Sequence, residues 1–376
     1  MAAGKPFHAF WLFFPAAALW AALAVPLSLF AALSGSGWPS GLLGSGHGHE
    51  LIFGFALALI AGYTLGPQPW RVLGPLFVLW ILARLAWLIA PDTLTAQLLS
   101  PAFALLLARH VVPRFQAAKK WRNKIAGPLI LILCLLALIF WLSQAGASWP
   151  ERQTLLYVAI LGLLLLMTFM GGRIIAPAVA GTLEKRGIGL EARVQPRVEG
   201  ALLLLLLLAM VLLLAKPLWP IVGVLLVICA GLLALRVLRW KLWHCRDRAD
   251  LLVLALGYLW LAVGAALTGG YLLSGTNPLP ALHVITIGAL GTLSCSVMLR
   301  LAWQRAHRTF PPDGQVWLVA GLMLVAVFGR YLAGAGPWQH PQLLWLAGGA
   351  WSLCYLGVFW QLLALFRQSR RKKART

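Results

Sequence analysis

Two histidines and a carboxylate fall within four residues in Gly46-His47-Gly48-His49-Glu50. That density resembles metal-ligand spacing, in which imidazole and carboxylate donors converge on one ion. Gly48 removes side-chain bulk and lets the backbone fold around a ligand. On a continuous helix, His47 and His49 point about 200° apart. They share one site only if the helix starts after His47; otherwise they serve two. Glu50 is then expected in the first turn, where the helix dipole favours an anion. The plainer alternative is a wet, interfacial helix start with polar caps.

A second element is Pro278-Leu279-Pro280-Ala281-Leu282-His283. Its prolines suit a helix start, which puts His283 in the first turn. Behind it lie Thr286, Gly288, Gly291 and Ser294. Small residues there allow close helix approach or leave space for a flat macrocycle. A structural role for this lone histidine is the alternative. Arg84 is the third element. Inside an apolar run it must be paired or solvated, and the apolar runs offer almost no acid. Haem propionates would serve through bidentate hydrogen bonds; snorkelling to the surface is the alternative. Arg173 and Arg300 end apolar runs, as topogenic charges or lipid-phosphate ligands. His340, just before Pro341, reads as a solvated loop residue.

The elements that position these residues are membrane spans. The 376-residue chain is 61% hydrophobic and 11% charged, with mean hydropathy +0.86. Soluble domains carry about 25% charged residues, so a cytosolic enzyme, a secreted domain and a disordered chain are excluded. Runs of about 20 apolar residues are needed to cross a bilayer. They occur at roughly 10–33, 49–66, 72–90, 93–112, 126–144, 153–171, 200–215, 218–238, 251–273, 281–301, 316–333 and 343–366. The expected fold is an all-α polytopic bundle of about twelve transmembrane helices. It forms a single integral membrane domain over 1–376, because too few residues remain for a soluble one. The first run is longer than a signal-peptide core and lacks a small-x-small cleavage site, so it reads as span 1.

Charge placement tests this layout. Net charge is +22, from 31 Lys and Arg against 9 Asp and Glu. With twelve spans, 27 of the 31 basic residues share one side, only Arg152, Lys216 and Arg330 lie on the other, and Arg84 is within a span. By the positive-inside rule both termini are cytoplasmic. The charges are scattered over span ends, so no nucleic-acid partner is expected. The tail Arg370, Arg371, Lys372, Lys373 and Arg375 is topogenic or touches anionic lipid. His8, His110, His244 and His307 fall on the basic side. His47, His49, His283 and His340 fall on the outer side, whose only acids are Glu50, Asp92 and Glu151. Cys134, Cys229, Cys245, Cys295 and Cys354 form no CxxC or CxxCH, which argues against a disulfide framework and against covalent c-type haem. Many tryptophans, such as Trp38, Trp149 and Trp219, fall near interfaces. No phosphate loop, catalytic triad signature or dinucleotide fingerprint is present.

A family resemblance rests on three stretches. Gly46-His47-Gly48-His49-Glu50-Leu51-Ile52-Phe53-Gly54-Phe55, continuing through Ile60-Ala61-Gly62-Tyr63-Thr64-Leu65, resembles the early motif of the NnrS family. Gly171-Gly172-Arg173-Ile174-Ile175-Ala176-Pro177 is a weaker match. Ala281-Leu282-His283 through Gly288-Ala289-Leu290-Gly291, with Met298 and Arg300 behind, is similar to that family's H-A-x-x-x-G-A-I-G pattern. The resemblance implies a haem- and copper-containing bacterial inner-membrane protein of nitric oxide metabolism and nitrosative stress. By matching position, His47, His49 and His283 are candidate haem or copper ligands, and which metal each serves is not carried by the motif. Three positions depart from the pattern: Gly46 replaces a Trp, Ala255 stands where a His precedes Gly257-Tyr258-Leu259-Trp260, and Arg305 stands where a later His falls.

Three readings compete. The leading one is a haem-binding membrane protein, with copper as a second metal, that handles nitric oxide with an electron donor and touches membrane lipid. Its candidate cofactor-binding residues are His47, His49, His283 and Arg84; its candidate metal ligands are His47, His49, Glu50 and His283. The second is a transporter or channel without a redox cofactor. The third is a structural or assembly protein that has lost its metals, as the departures at Ala255 and Arg305 suggest. The sequence assigns no reaction.

Overall fold

The computed structural model describes residues 6–119, 121–144 and 150–375. Twelve helical runs account for most of them. They are α1 (Phe10–Leu33), α2 (45–64), α3 (Trp70–Ile89), α4 (Leu94–Gln116), α5 (Ala126–Gln144), α6 (Arg152–Glu184), α7 (Pro196–Leu212), α8 (Trp219–Arg239), α9 (Ala249–Leu273), α10 (279–307), α11 (Asp313–Leu332) and α12 (Pro341–Arg375). Among the described residues, eleven helices have the length and apolar composition to cross a membrane. The remaining run, α2, is built from three consecutive pieces, Ser45–His49, Glu50–Ala56 and Leu57–Thr64. The chain is thus an all-α, multi-pass membrane protein. Trp149 lies outside the described residues, as do Lys5 and the side chains at the end of the basic tail.

The apolar runs form these helices because, in lipid, each backbone N–H and C=O must be satisfied within its own segment. The span expected at 93–112, which holds Gln97 and Pro101, is helical throughout as α4; Thr93 caps its start by accepting from the Ala96 N–H at 3.4 Å. The largest difference is α6, which continues through Gly171-Gly172-Arg173 to Glu184 rather than ending near 171. Gly171 and Gly172 carry no side chain because Tyr258 and the Arg236 guanidinium pack directly against them.

The chain divides into two compact units, 1–159 with 355–376, and 160–354. The first contains α1 to α5. There the strand pair Phe7–His8 and Pro67–Gln68 joins the two ends of the α1–α2 segment, and Gly62 of α2 seats against Phe13 and Phe14 of α1. The second unit is organised around α9. Gly269 of α9 and Gly223 of α8 each touch the other's backbone carbonyl, a small-residue crossing of the kind that lets membrane helices approach. On other faces of α9, Gly257 meets Leu293 and Gly264 meets Ile285, both on α10. All five cysteines are buried, including Cys245 in a short turn at Leu242–Cys245.

Candidate functional site

In the first unit, α2 carries the His-x-His-Glu stretch. The helix starts at Ser45, before both histidines, so it does not begin after His47 as a shared site would require. His47 and His49 therefore leave the helix about 200° apart. His49 is 2% exposed, whereas His47 is half-buried. Gly48 serves packing: a side chain there would strike Leu156. Glu50 lies beyond the first turn, so the helix dipole is not what holds it.

Arg84 holds it. Its Nη1 donates to Glu50 Oε1 at 2.7 Å, and its Nη2 donates to the Ser100 hydroxyl. Both charged side chains are almost fully buried, at 0% and 2% exposure. The expectation that Arg84 finds almost no acid in the membrane is thus overturned; Glu50 is that acid, reached from the adjacent helix. Taking two ions out of water costs several kcal/mol each, so such a pair needs close geometry and further hydrogen bonds; His49 and Ser100 supply two, while Glu50 Oε2 and Arg84 Nε meet no partner among the described residues. Glu50 Oε1 also accepts from His49 Nδ1 at 3.0 Å. A carboxylate oxygen only accepts, so Nδ1 carries the proton and, in the neutral ring, Nε2 carries the lone pair.

Neighbouring aromatics fix the imidazole plane. His49 stacks on Trp87, with ring centres 3.8 Å apart and planes 20° from parallel, and Phe53 and Phe140 close two further sides. Trp87 is itself anchored by donating its Nε1–H to the Gly41 carbonyl at 2.7 Å. Below His49, Glu50–Ala56 winds as wider π-type turns, a local device common at functional sites. There the Gly54 carbonyl accepts from Trp80 Nε1 at 2.9 Å, and the missing Gly54 side chain makes room for the Arg84 guanidinium.

In the second unit, α10 repeats this plan. Leu279–His283 is followed by eight π-type residues, Val284–Gly291, and then by Thr292–His307. His283 Nδ1 lies 2.8 Å from the Leu279 carbonyl of its own helix. A carbonyl also only accepts, so this ring too carries its proton on Nδ1 and its lone pair on Nε2. The small-residue face behind His283 is packed rather than open. Gly288 meets Trp260 and Val327, and Gly291 meets Met323 and Trp351.

The second unit also buries two ionic centres that the sequence reading treated as charge at span ends. Arg236 donates to Glu199 at 2.6 Å, to the Tyr258 hydroxyl at 2.8 Å and to the Thr168 carbonyl at 3.0 Å. Arg248 and Arg300 share Asp250, and both guanidinium groups lie over the Phe310 ring. Arg300 is therefore engaged by protein, and Arg173 lies 4.2 Å from the centre of the Phe169 ring. The usable signal was scarcity: with nine acids in the chain, Glu199 and Asp250 beside apolar runs each called for an arginine. His340 is exposed, as expected of a loop residue.

Haem, which the resemblance implies, takes neutral imidazole as an axial ligand. His49 and His283 fit that role by tautomer: in each, a hydrogen-bonded Nδ1–H leaves the Nε2 lone pair to the other end of the ring. A metal-bound histidine is oriented in the same manner by its second nitrogen. A multi-ligand copper centre is not matched in this way. Among the described residues no group of three or more His, Cys, Asp or Glu is arranged to hold a metal ion.

No curated protein and no solved structure matches the chain. The family model described as NnrS protein matches residues 7–370, nearly the whole length, including both histidine-bearing helices. The chain therefore belongs to the NnrS family.

Proposed function

We propose that this chain is a haem-binding protein of the bacterial inner membrane that acts in nitric oxide handling. The observation that carries the reading is the shared tautomer of His49 and His283, whose Nδ1 atoms are held by acceptors at 3.0 Å and 2.8 Å. Each ring would hold haem through Nε2. When bound, haem supplies an iron able to take nitric oxide. The protein's own part is orientation and exclusion of water: Trp87, Phe53 and Phe140 hold the His49 ring in an apolar cage. Family membership supports the link to nitric oxide, and the excess of basic residues supports a cytoplasmic placement of both termini. Among the described residues no group of three or more His, Cys, Asp or Glu is arranged for a metal ion, so the reading rests on haem rather than copper.

The test is an absorption spectrum of the purified protein with and without nitric oxide, on wild type, His49→Ala and His283→Ala. A Soret band that shifts with nitric oxide, and is lost or moved in at least one variant, is expected. Wild type without a Soret band after haem supplementation removes the reading; spectra unchanged in both variants remove the ligand assignment.

A further inference from the structure

The two imidazoles are held by acceptors of different strength. His283 donates to a neutral carbonyl of its own helix; His49 donates to a carboxylate that a second helix keeps in place. We propose that Glu50, clamped by Arg84, is a positioning residue that makes His49 the stronger electron donor of the two. The inference rests on the haem reading above and assigns a tuning role within it.

Four observations carry it. The carboxylate cannot swing away, because Arg84 grips the same oxygen that His49 uses while its other nitrogen is tied to Ser100. Arg84 is itself confined against Gly54, and Trp80 pins the Gly54 carbonyl. Glu50 Oε2 is buried and meets no hydrogen-bond partner among the described residues, so Oε1 alone makes the carboxylate's contacts with both His49 and Arg84. The imidazole cannot turn to break the contact, because Trp87 stacks on it. Hydrogen bonds to an ionised acceptor are roughly twice as strong as neutral ones. A carboxylate on the far nitrogen raises the basicity of a ligating histidine. That donation favours oxidised over reduced iron and lowers its reduction potential.

The test uses full-length wild type, Glu50→Gln, Glu50→Asp and the double variant Glu50→Gln/Arg84→Met, which leaves no unpaired charge if the single variant folds poorly. The first readout needs no haem: the ¹H and ¹⁵N signals of the His49 Nδ1–H group in the apoprotein. A downfield proton is expected in wild type, moved upfield in Glu50→Gln and restored in Glu50→Asp, with the His283 signal unchanged. The second readout is spectroelectrochemistry of the haem-loaded protein. Glu50→Gln is expected to lose about tenfold of its preference for oxidised iron, an upward shift of about 59 mV. Haem affinity is expected to fall about 10- to 100-fold. An Nδ1–H signal unmoved by Glu50→Gln, or a loaded variant with unchanged potential, overturns the tuning role and leaves the haem reading standing. A wild type that takes up no haem overturns the haem reading, and with it the tuning role.

Discussion

α2 and α10 share one construction and differ in what surrounds it. Each opens with five α-helical residues ending in a histidine, widens into seven or eight π-type residues, and returns to α-helix. In each, a glycine follows the histidine by five positions, Gly54 after His49 and Gly288 after His283. Five is the spacing of the π-type hydrogen bond. In α2 the glycine admits an arginine, and the histidine faces a carboxylate. In α10 the glycine admits the Trp260 ring, and the histidine faces its own backbone. The same backbone device thus presents an imidazole in a charged setting and in an apolar one. What differs is supplied by partners from other helices.

The sharpest way to break this contrast is Arg84→Met, which leaves Glu50 buried without its counter-charge. A loss of about 3–5 kcal/mol is expected, measured as unfolding in detergent. His283→Leu keeps a similar volume and removes the bond to the Leu279 carbonyl but no charge, and is expected to cost about 0.5–1.5 kcal/mol. Equal losses would mean the charged setting of α2 is not what distinguishes it. Next, Glu50→Gln/Arg84→Met is expected to recover most of the Arg84→Met loss, since replacing a whole buried pair is often near neutral. A double variant as unstable as the single one would place the cost in packing.

Smaller effects separate the glycines. Gly54→Ala and Gly288→Ala each force a methyl into an occupied space and are expected to cost about 1–3 kcal/mol. Only Gly54→Ala should also move the His49 Nδ1–H signal, because only there does the glycine seat the guanidinium. The mildest change is Trp80→Phe, which removes the bond to the Gly54 carbonyl and is expected to cost about 0.5–1.5 kcal/mol. Hydrogen exchange should quicken across 50–56 and stay unchanged across 284–291.

Much of this was legible along the chain. The apolar runs located most helices within a few residues, since α1, α5 and α9 have ends at or near those expected. His49, Glu50, Arg84 and His283 each stood out as polar residues in apolar surroundings. Their grouping did not. Arg84 lies 34 positions from Glu50, and the sequence reading therefore looked for its partner outside the protein. α6 was read over 153–171 and instead continues to Glu184, with Tyr258 and Arg236 packed on the bare surface of Gly171 and Gly172. Arg236, Arg248 and Arg300 were counted as charge at span ends, although Glu199 holds the first and Asp250, two residues after Arg248, holds the other two.

The sequence by itself determined that this is a multi-pass, all-helical membrane protein and which residues are chemically unusual in it. Transfer of apolar groups from water is additive along the chain, so windows of about 20 residues are sufficient to read it. Tertiary structure alone decided which nitrogen of His49 holds the proton, which acid answers Arg84, and whether the space behind His283 is open or packed. Those properties depend on directional contacts of about 3 Å between distant segments. A hydrogen bond or buried ion pair is strong only at that range and geometry, and a linear pattern of residue types does not encode either.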